Sequence, residues 1–322
     1  MNGPRPRRAL PVRLAIYLVS MFPPWVMVPA GLAMFGAVHG AMQALAGPGP
    51  LRFGWIDWAG AASAVLAMLL MRVYDELKDV EGDIALGRAG DPRYKDRPIV
   101  TGAVLAGDIE LLRWVVSALL IALNAALGWP LPGVAFLLLF AAGWLSFKWF
   151  YCPAIQKNLL LAFATHNPLT AVLLLYVVAV WAAGHGLEHA RPGPTALLVV
   201  GQWFPLAAWE TSRKIRIPQD ETTYQTYSML LGWKVAPLLP PLFAGIATAC
   251  LIAVARAAGL SWGYPAVLAT AWGALAFACL RFRFAPTTNR AKLQPFAELF
   301  TVVASVGMLV ALVHARGVAA WL

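Results

Sequence analysis

The stretch MRVYDELKDVEGD, residues 71–83, follows an apolar run that is long enough to cross a membrane. Five acidic residues fall within its last nine positions: Asp75, Glu76, Asp79, Glu81 and Asp83. If the apolar run continues as a helix, most of these carboxylates share one face, with Glu76, Asp79 and Asp83 spaced i, i+3 and i+7. Like charges at this spacing repel, and each is costly near a bilayer, so the stretch predicts a counter-charge such as a bound cation.

The composition of the whole chain predicts an all-α membrane protein. Of its 322 residues, 60% are hydrophobic and 12% are charged, and the mean hydropathy is +0.68. A soluble domain carries about twice that charged fraction. No linker or shift of composition divides the sequence, so residues 1–322 are predicted to form a single transmembrane domain. The three cysteines form no CxxC pair, which argues against a disulfide frame or a thiolate metal site.

Apolar runs of spanning length predict a bundle of nine transmembrane helices. They lie near residues 14–38, 57–76, 110–129, 131–151, 158–183, 195–212, 234–257, 262–281 and 295–315. Pro23 and Pro24 fall inside the first run and predict a kink there.

The basic residues predict the orientation of this bundle. On alternating loops, 21 of the 25 Lys and Arg residues fall on the side of the N-terminus, including Arg5, Arg7 and Arg93. That side is therefore expected to be cytoplasmic and the C-terminus outside, in the inner (cytoplasmic) membrane. The basic segment 1–13 and two loops, 77–109 and 213–233, would then face the cytoplasm. Topology accounts for the net charge of +10, so nucleic-acid binding is not expected.

A second acidic cluster lies at the cytoplasmic end of the sixth predicted span. The segment WETSRKIRIPQDETTYQTYS, residues 209–228, holds Glu210, Asp220 and Glu221, with three basic residues between them. Carboxylates suit Mg²⁺, which prefers one or two per ion and completes its shell with water and phosphate oxygens. The predicted catalytic and metal-binding residues are Asp75, Glu76, Asp79, Asp83, Asp220 and Glu221.

Basic residues on the same face suit the phosphate head of a lipid-soluble substrate. The predicted diphosphate-binding residues are Arg72, Lys95, Arg97, Lys157, Arg213 and Lys214. An isoprenyl diphosphate fits this arrangement, with its head at the cytoplasmic mouth and its tail among the spans. Metal ions would neutralise charge on the leaving diphosphate, and apolar walls would shield the allylic cation from water.

Several polar residues are candidates for the acceptor or tail pocket: Asn158, His166, Asn167, Glu210 and Tyr224. For His166 and Asn167, substrate binding and an internal hydrogen bond are equally compatible with a position inside a span. Tyr224 fits either stabilisation of a cation or an interfacial aromatic belt. Glu81 points away from the other acids and is expected to be solvated and paired with Lys78.

Two motifs resemble those of the UbiA superfamily of intramembrane prenyltransferases. The string DELKDVEGD, residues 75–83, is similar to the family's NDxxDxxxD motif, with Asp75 in the Asn place and Glu76 in the first Asp place. RPIVTG, residues 97–102, resembles the RPIxSG stretch that closes the same loop. The second motif departs from the family's DxxxD pattern, because Glu210 matches the first acid loosely and Pro218 and three bases intervene.

The resemblance implies a Mg²⁺-dependent enzyme that transfers an isoprenyl group from an isoprenyl diphosphate to an aromatic or other lipid-soluble acceptor. Two alternatives remain open. A terpene cyclase of the same fold would use the donor alone. A cation transporter would also use membrane acids, although these acids cluster at helix ends rather than at mid-span.

Overall fold

The computed structural model describes residues 8–91, 94–128, 130–222 and 224–320. Within these ranges the chain is almost entirely helical, as the composition predicted. Arg5, Arg7 and Arg93, which contributed to the predicted topology, lie outside the described residues. Seven helical segments in the described ranges are long and apolar enough to cross a membrane.

The described residues form fourteen α-helices. They are α1 (Leu10–Met21), α2 (Pro24–Ala46), α3 (Trp55–Arg88), α4 (Ala106–Leu127), α5 (Leu131–Phe147), α6 (Pro153–Lys157), α7 (Leu159–His166), α8 (Leu169–His185), α9 (Pro192–Ser212), α10 (Tyr227–Leu231), α11 (Leu239–Ala257), α12 (Gly263–Phe284), α13 (Gln294–Val302) and α14 (Met308–Arg316). Two three-residue strands, β1 (Leu51–Phe53) and β2 (Val318–Ala320), pair in parallel and join the chain's last described residues to the α2–α3 connection.

The seven candidate spans correspond to seven of the nine predicted runs. The other two runs coincide with α5, which has 17 residues, and with α9, which has 21 but is not among the seven. The count of nine membrane crossings therefore stays a prediction. The first run is divided more sharply than a kink, because α1 ends at Met21 and α2 begins at Pro24. Proline lacks the N–H that a continuous helix would need there.

Where helices are interrupted inside the bundle, side chains bind the freed backbone groups. Between α13 and α14, residues Val303–Gly307 form a π-helical turn. The carbonyl of Ala304 in this turn accepts hydrogen bonds from Gln202 Nε2 at 3.0 Å and from Tyr264 Oη at 3.1 Å. Since lipid offers no hydrogen bonds, such partners allow an irregular turn at this depth.

Glycine permits the close approach of α9 and α11. A Cβ atom built on Gly201 would lie 2.6 Å from Leu251 Cδ2 and 2.7 Å from its Cγ. Leu251 is fully buried, so its side chain has little room to move aside. Small residues at helix crossings of this kind let two backbones pack closely in a membrane.

We therefore predict that Gly201→Ala destabilises the protein by about 1–3 kcal/mol, because the added methyl group overpacks the α9–α11 contact. Gly273→Ala in α12 is the matched control, since no atom lies within 4 Å of the position that its added methyl group would take. The midpoint of thermal unfolding in detergent should fall for Gly201→Ala and stay equal or rise for Gly273→Ala. Equal midpoints for the two variants would contradict this account of the packing.

Candidate active site

The predicted carboxylate face forms because α3 continues past the membrane. With 34 residues, α3 is about 50 Å long, whereas the hydrocarbon core is about 30 Å thick. Its last turns therefore extend beyond the lipid and carry Arg72, Glu76, Asp79 and Asp83 on one face. Glu76 and Asp83 are buried at 2% and 5% exposure, while Asp79 is exposed.

Basic side chains offset three of the four acids that were predicted to bind metal on α3. Arg72 donates to Glu76 at 2.6 Å, Lys78 donates to Asp75 at 2.7 Å, and Arg97 donates to Asp83. Lys78 thus binds Asp75, and the expected pairing of Lys78 with Glu81 is wrong. Both acids lie three residues from Lys78 on α3, but the Lys78 ammonium lies 4.7 Å from the centroid of the Trp149 ring and the Glu81 side chain is exposed. Asp79 has no ion pair or hydrogen bond among the described residues.

The RPIVTG segment brings Arg97 onto α3. Residues after α3 fold back so closely that a Cβ on Gly87 would lie 2.5 Å from Val100 Cγ1 and 3.2 Å from the Tyr94 carbonyl oxygen. Arg97 rests on the ring of Tyr94, with 4.4 Å from its guanidinium carbon to the ring centroid. Its guanidinium therefore reaches the buried Asp83 with a fixed direction.

The second acidic cluster is likewise paired with bases. Glu210, in the last turn of α9, accepts from Arg213 at 2.6 Å and from Lys214 at 2.7 Å. Asp220 ends a short 3₁₀ turn, Pro218–Asp220, and the Glu221 carboxylate accepts from Thr226 Oγ1 at 2.8 Å. Glu221 and Arg216 also border a cavity of about 200 Å³ whose other wall includes Trp233.

The two loops that carry the motifs, after α3 and after α9, contact each other. The rings of Tyr94 in the first loop and Tyr224 in the second lie 6.5 Å apart between centroids. Lys214 Nζ lies 5.7 Å from the centroid of the Tyr224 ring, and Asp75 interacts electrostatically with Arg213. The acids of α3 and the bases that follow α9 therefore border one polar region, although they are more than 120 residues apart in sequence.

The carboxylates of α3 suit a Mg²⁺ ion that is also bound by phosphate oxygens better than a Mg²⁺ ion bound by protein ligands alone. Among the described residues, no three His, Cys, Asp or Glu side chains are grouped closely enough to hold a metal ion. Mg²⁺ commonly uses one or two carboxylates together with substrate phosphates and water. Asp79, Glu76 and Asp83 share one helix face and present hard oxygen ligands of the required kind.

Two of the predicted basic residues lie apart from these pairs. Lys95 and Lys157 are exposed on the surface, and no side-chain ion pair joins either to another described residue. They are free to reach toward an anion, so their predicted role in diphosphate binding stays a prediction.

The predicted pocket residues on α7 make bonds within the protein. Asn158 caps α7 by accepting from Leu160 N at 3.0 Å. His166 Nδ1 lies 3.0 Å from the Ala162 carbonyl, and Asn167 Oδ1 accepts from Trp203 Nε1 at 2.7 Å. These contacts explain the polar residues at the α7–α8 break without a ligand, and their predicted roles in binding stay predictions.

A strained turn packs beside these residues, and sequence reasoning missed it. Trp149, Phe150 and Tyr151 have φ values of 52°, 51° and 55°, a left-handed conformation that aromatic residues rarely adopt. The turn places Trp149 against the His166 ring, at 5.0 Å between centroids, and under Lys78, at 4.7 Å. No sequence signal marks it, because glycine or asparagine is the usual sign of such a turn.

Two buried tyrosines also lie beside the acidic clusters. Tyr17 on α1 and Tyr227 on α10 are each 1% exposed, and neither hydroxyl has a hydrogen-bond partner among the described residues. Burial raises the pKa of Tyr227, so its hydroxyl stays protonated and able to donate. The sequence offered no signal for Tyr17, because α1 reaches α3 only through the tertiary fold.

A small apolar cavity lies elsewhere on α3. Its volume is about 20 Å³, and it is lined by α3, α4 and α5, with Leu70 and Tyr74 on the α3 side. At 100° per residue, these two side chains are on the opposite face of α3 from Glu76, Asp79 and Asp83. This cavity is therefore separate from the carboxylate face.

The fold is similar to that of a solved membrane protein. The apo structure of a UbiA homologue from Aeropyrum pernix K1 superposes with a TM-score of 0.55, covering 88% of this chain and 96% of the other, at 19% sequence identity. No family model matches the chain, and no curated protein matches it. At this identity the likeness shows the fold alone, and it confirms the UbiA-like fold that the motifs implied.

The Arg97–Asp83 pair generates a stability prediction. Arg97→Met should destabilise the protein by about 2 kcal/mol, because it leaves a buried carboxylate unpaired, while the partly exposed site allows some hydration. Arg88→Met, at an exposed position of the same region, is the control. Hydrogen exchange of the amides of residues 94–104 should accelerate in the first variant only. Unchanged exchange in Arg97→Met would show that the pair does not hold the loop.

Proposed function

We propose that this UbiA-like chain is a Mg²⁺-dependent intramembrane prenyltransferase. It would move an isoprenyl group from an isoprenyl diphosphate to an aromatic or other lipid-soluble acceptor. The observation that supports this most is the meeting of the α3 carboxylate face with the basic segment after α9, at the ends of apolar helices. A charged head with an apolar tail suits such a boundary.

In this proposal the diphosphate is held by cations that neutralise carboxylates in the structure. Arg72 and Arg97 pair with Glu76 and Asp83, and Arg213 and Lys214 pair with Glu210. When a magnesium diphosphate binds, each carboxylate can exchange its Arg or Lys partner for metal, and each base can turn to a phosphate oxygen. The exchange leaves no buried charge unpaired, which keeps its free-energy cost low.

Magnesium, when bound, would neutralise the charge that develops on the leaving diphosphate as the C–O bond breaks. Glu76, Asp79 and Asp83 would hold the metal on the α3 side, with Asp75 beside them, and Asp220 and Glu221 would hold it on the other side. Arg72, Arg97, Arg213 and Lys214 would bind phosphate oxygens, with Lys95 and Lys157 at the entrance. Glu210 and Tyr224 would border the acceptor near the same cations.

The proposal also includes the location of the protein and its orientation in the membrane. Seven apolar helical segments support an integral membrane protein. The active site is proposed to face the cytoplasm from the inner membrane, with the last residues outside, because the Lys and Arg residues gather on the loops that carry both motifs.

We expect Asp79→Ala and Asp83→Ala each to abolish product formation while the protein still inserts, because each removes a metal ligand. Glu81→Ala is the matched control, since Glu81 is exposed and points to another face of α3. The measurement is mass spectrometry of lipids from a host that expresses each variant. Full activity in either Asp variant, or undiminished activity after chelation, would contradict the assignment.

Incubation of the purified protein with donor alone distinguishes transfer from cyclisation. Apart from slow hydrolysis of the isoprenyl diphosphate, a transferase should form no hydrocarbon or alcohol, because its allylic cation reacts with an acceptor that is missing from this mixture. Cyclic products from donor alone would assign the chain to terpene cyclases. Metal flux into liposomes without any prenyl product would instead support a transporter.

A further inference from the structure

Tyr17 lies on α1, which an ion pair joins to α4. Arg13, one turn earlier on the same face of α1, donates to both carboxylate oxygens of Asp108 at 2.7 Å. Asp108 in turn accepts from Leu105 N at 2.9 Å, at the start of α4. This contact fixes α1 against the bundle, so the Tyr17 ring enters the interior with a set direction.

The Tyr17 hydroxyl lies in a charged neighbourhood without a hydrogen-bond partner. The ring is 1% exposed, and its Oη has no partner among the described residues. Arg72, Glu76 and Asp75 all interact electrostatically with this hydroxyl. Arg72 itself has a buried Nε–H without a partner among those residues, although its terminal nitrogen binds Glu76. Two buried donors thus lie in the same region without acceptors in the described part of the chain.

Two other buried tyrosines, Tyr176 and Tyr264, have protein partners, whereas the hydroxyl of Tyr227, like that of Tyr17, has none among the described residues. Tyr176 Oη donates to Asn124 Oδ1 at 2.8 Å, and Tyr264 Oη donates to the Ala304 carbonyl at 3.1 Å. A buried polar group without a partner is unfavourable, and native proteins contain few of them. The Tyr17 phenol and the Arg72 Nε–H are both buried without a partner among the described residues, and Arg72 acts electrostatically on the phenol, so these donors point to an acceptor that belongs to a ligand.

We propose that Tyr17 is a substrate-binding residue, and that its hydroxyl and Arg72 Nε together donate to an anionic oxygen of the bound substrate. This inference rests on the proposed function. An anionic oxygen is the acceptor that a phenol and a guanidinium N–H both favour, because charge-assisted hydrogen bonds are the stronger ones. It belongs either to the diphosphate of the donor or to a carboxylate or phenolate of the acceptor.

The test compares Tyr17→Phe with the wild-type full chain in detergent. The probes are inorganic pyrophosphate with Mg²⁺, for the donor head, and 4-hydroxybenzoate, for an aromatic acceptor, each titrated by calorimetry. Phenylalanine keeps the ring and removes only the hydroxyl, so the ligand-free unfolding midpoint should not fall. Affinity for one probe should weaken about tenfold or more, the scale of one hydrogen bond to a charged group.

Tyr264→Phe is the matched control, because it removes an equally buried hydroxyl that has a protein partner. That variant should lower the unfolding midpoint and leave both affinities unchanged. A loss confined to pyrophosphate in Tyr17→Phe assigns the hydroxyl to the donor, and a loss confined to 4-hydroxybenzoate assigns it to the acceptor. Equal affinities of wild type and Tyr17→Phe for both probes would overturn this inference and leave the proposed function standing. Failure of the wild type to bind either probe would overturn both.

Discussion

Buried carboxylates at the end of a long apolar helix are the constraint on which the loops after α3 and α9 depend. Glu76 and Asp83 are almost completely buried, and an ionised carboxyl group cannot stay there without a counter-charge. Arg72 supplies one from the preceding turn of the same helix, and Arg97 supplies the other from a loop that must fold back to reach it. The path of residues 89–105 is therefore coupled to the charge on α3.

The need to neutralise these carboxylates also relates the loops to the proposed binding of a metal-bound anion. Membrane topology accounts for bases on these loops, but it does not account for the acids that pair with them. Binding of a metal-bound anion would explain why acids and bases occur together here, because each acid could then bind the metal and each base could bind the anion. Asp79, whose side chain has no partner among the described residues, is the exposed one of the four proposed metal ligands on α3, so an arriving cation can reach it.

Within the bundle, helices are interrupted where side chains form hydrogen bonds with the backbone groups that the interruption leaves unpaired. The π-helical turn between α13 and α14 is held by Gln202 and Tyr264, and the α7–α8 break is held by Trp203 bonding to Asn167. At each interruption the polar side chain comes from a different helix. Packing at Gly201 and polar bonding at Ala304 therefore act together to fix α9 against its neighbours.

The sequence by itself determined the helical class, the placement of most helices and the identity of both charged clusters, because hydrophobic runs and charge spacing are local properties that repeat along the chain. The motif spacing on α3 also indicated the UbiA-like fold. Only the tertiary structure decided which base meets which acid, that Lys78 binds Asp75, and that Tyr17 reaches the α3 acids. The Arg97–Asp83 pair and the approach of Tyr17 join residues on different helices or loops, and Lys78 has an acid three residues away on either side along α3. Which contacts form therefore depends on how α1, α3 and the loops after α3 and α9 pack, which no local pattern encodes.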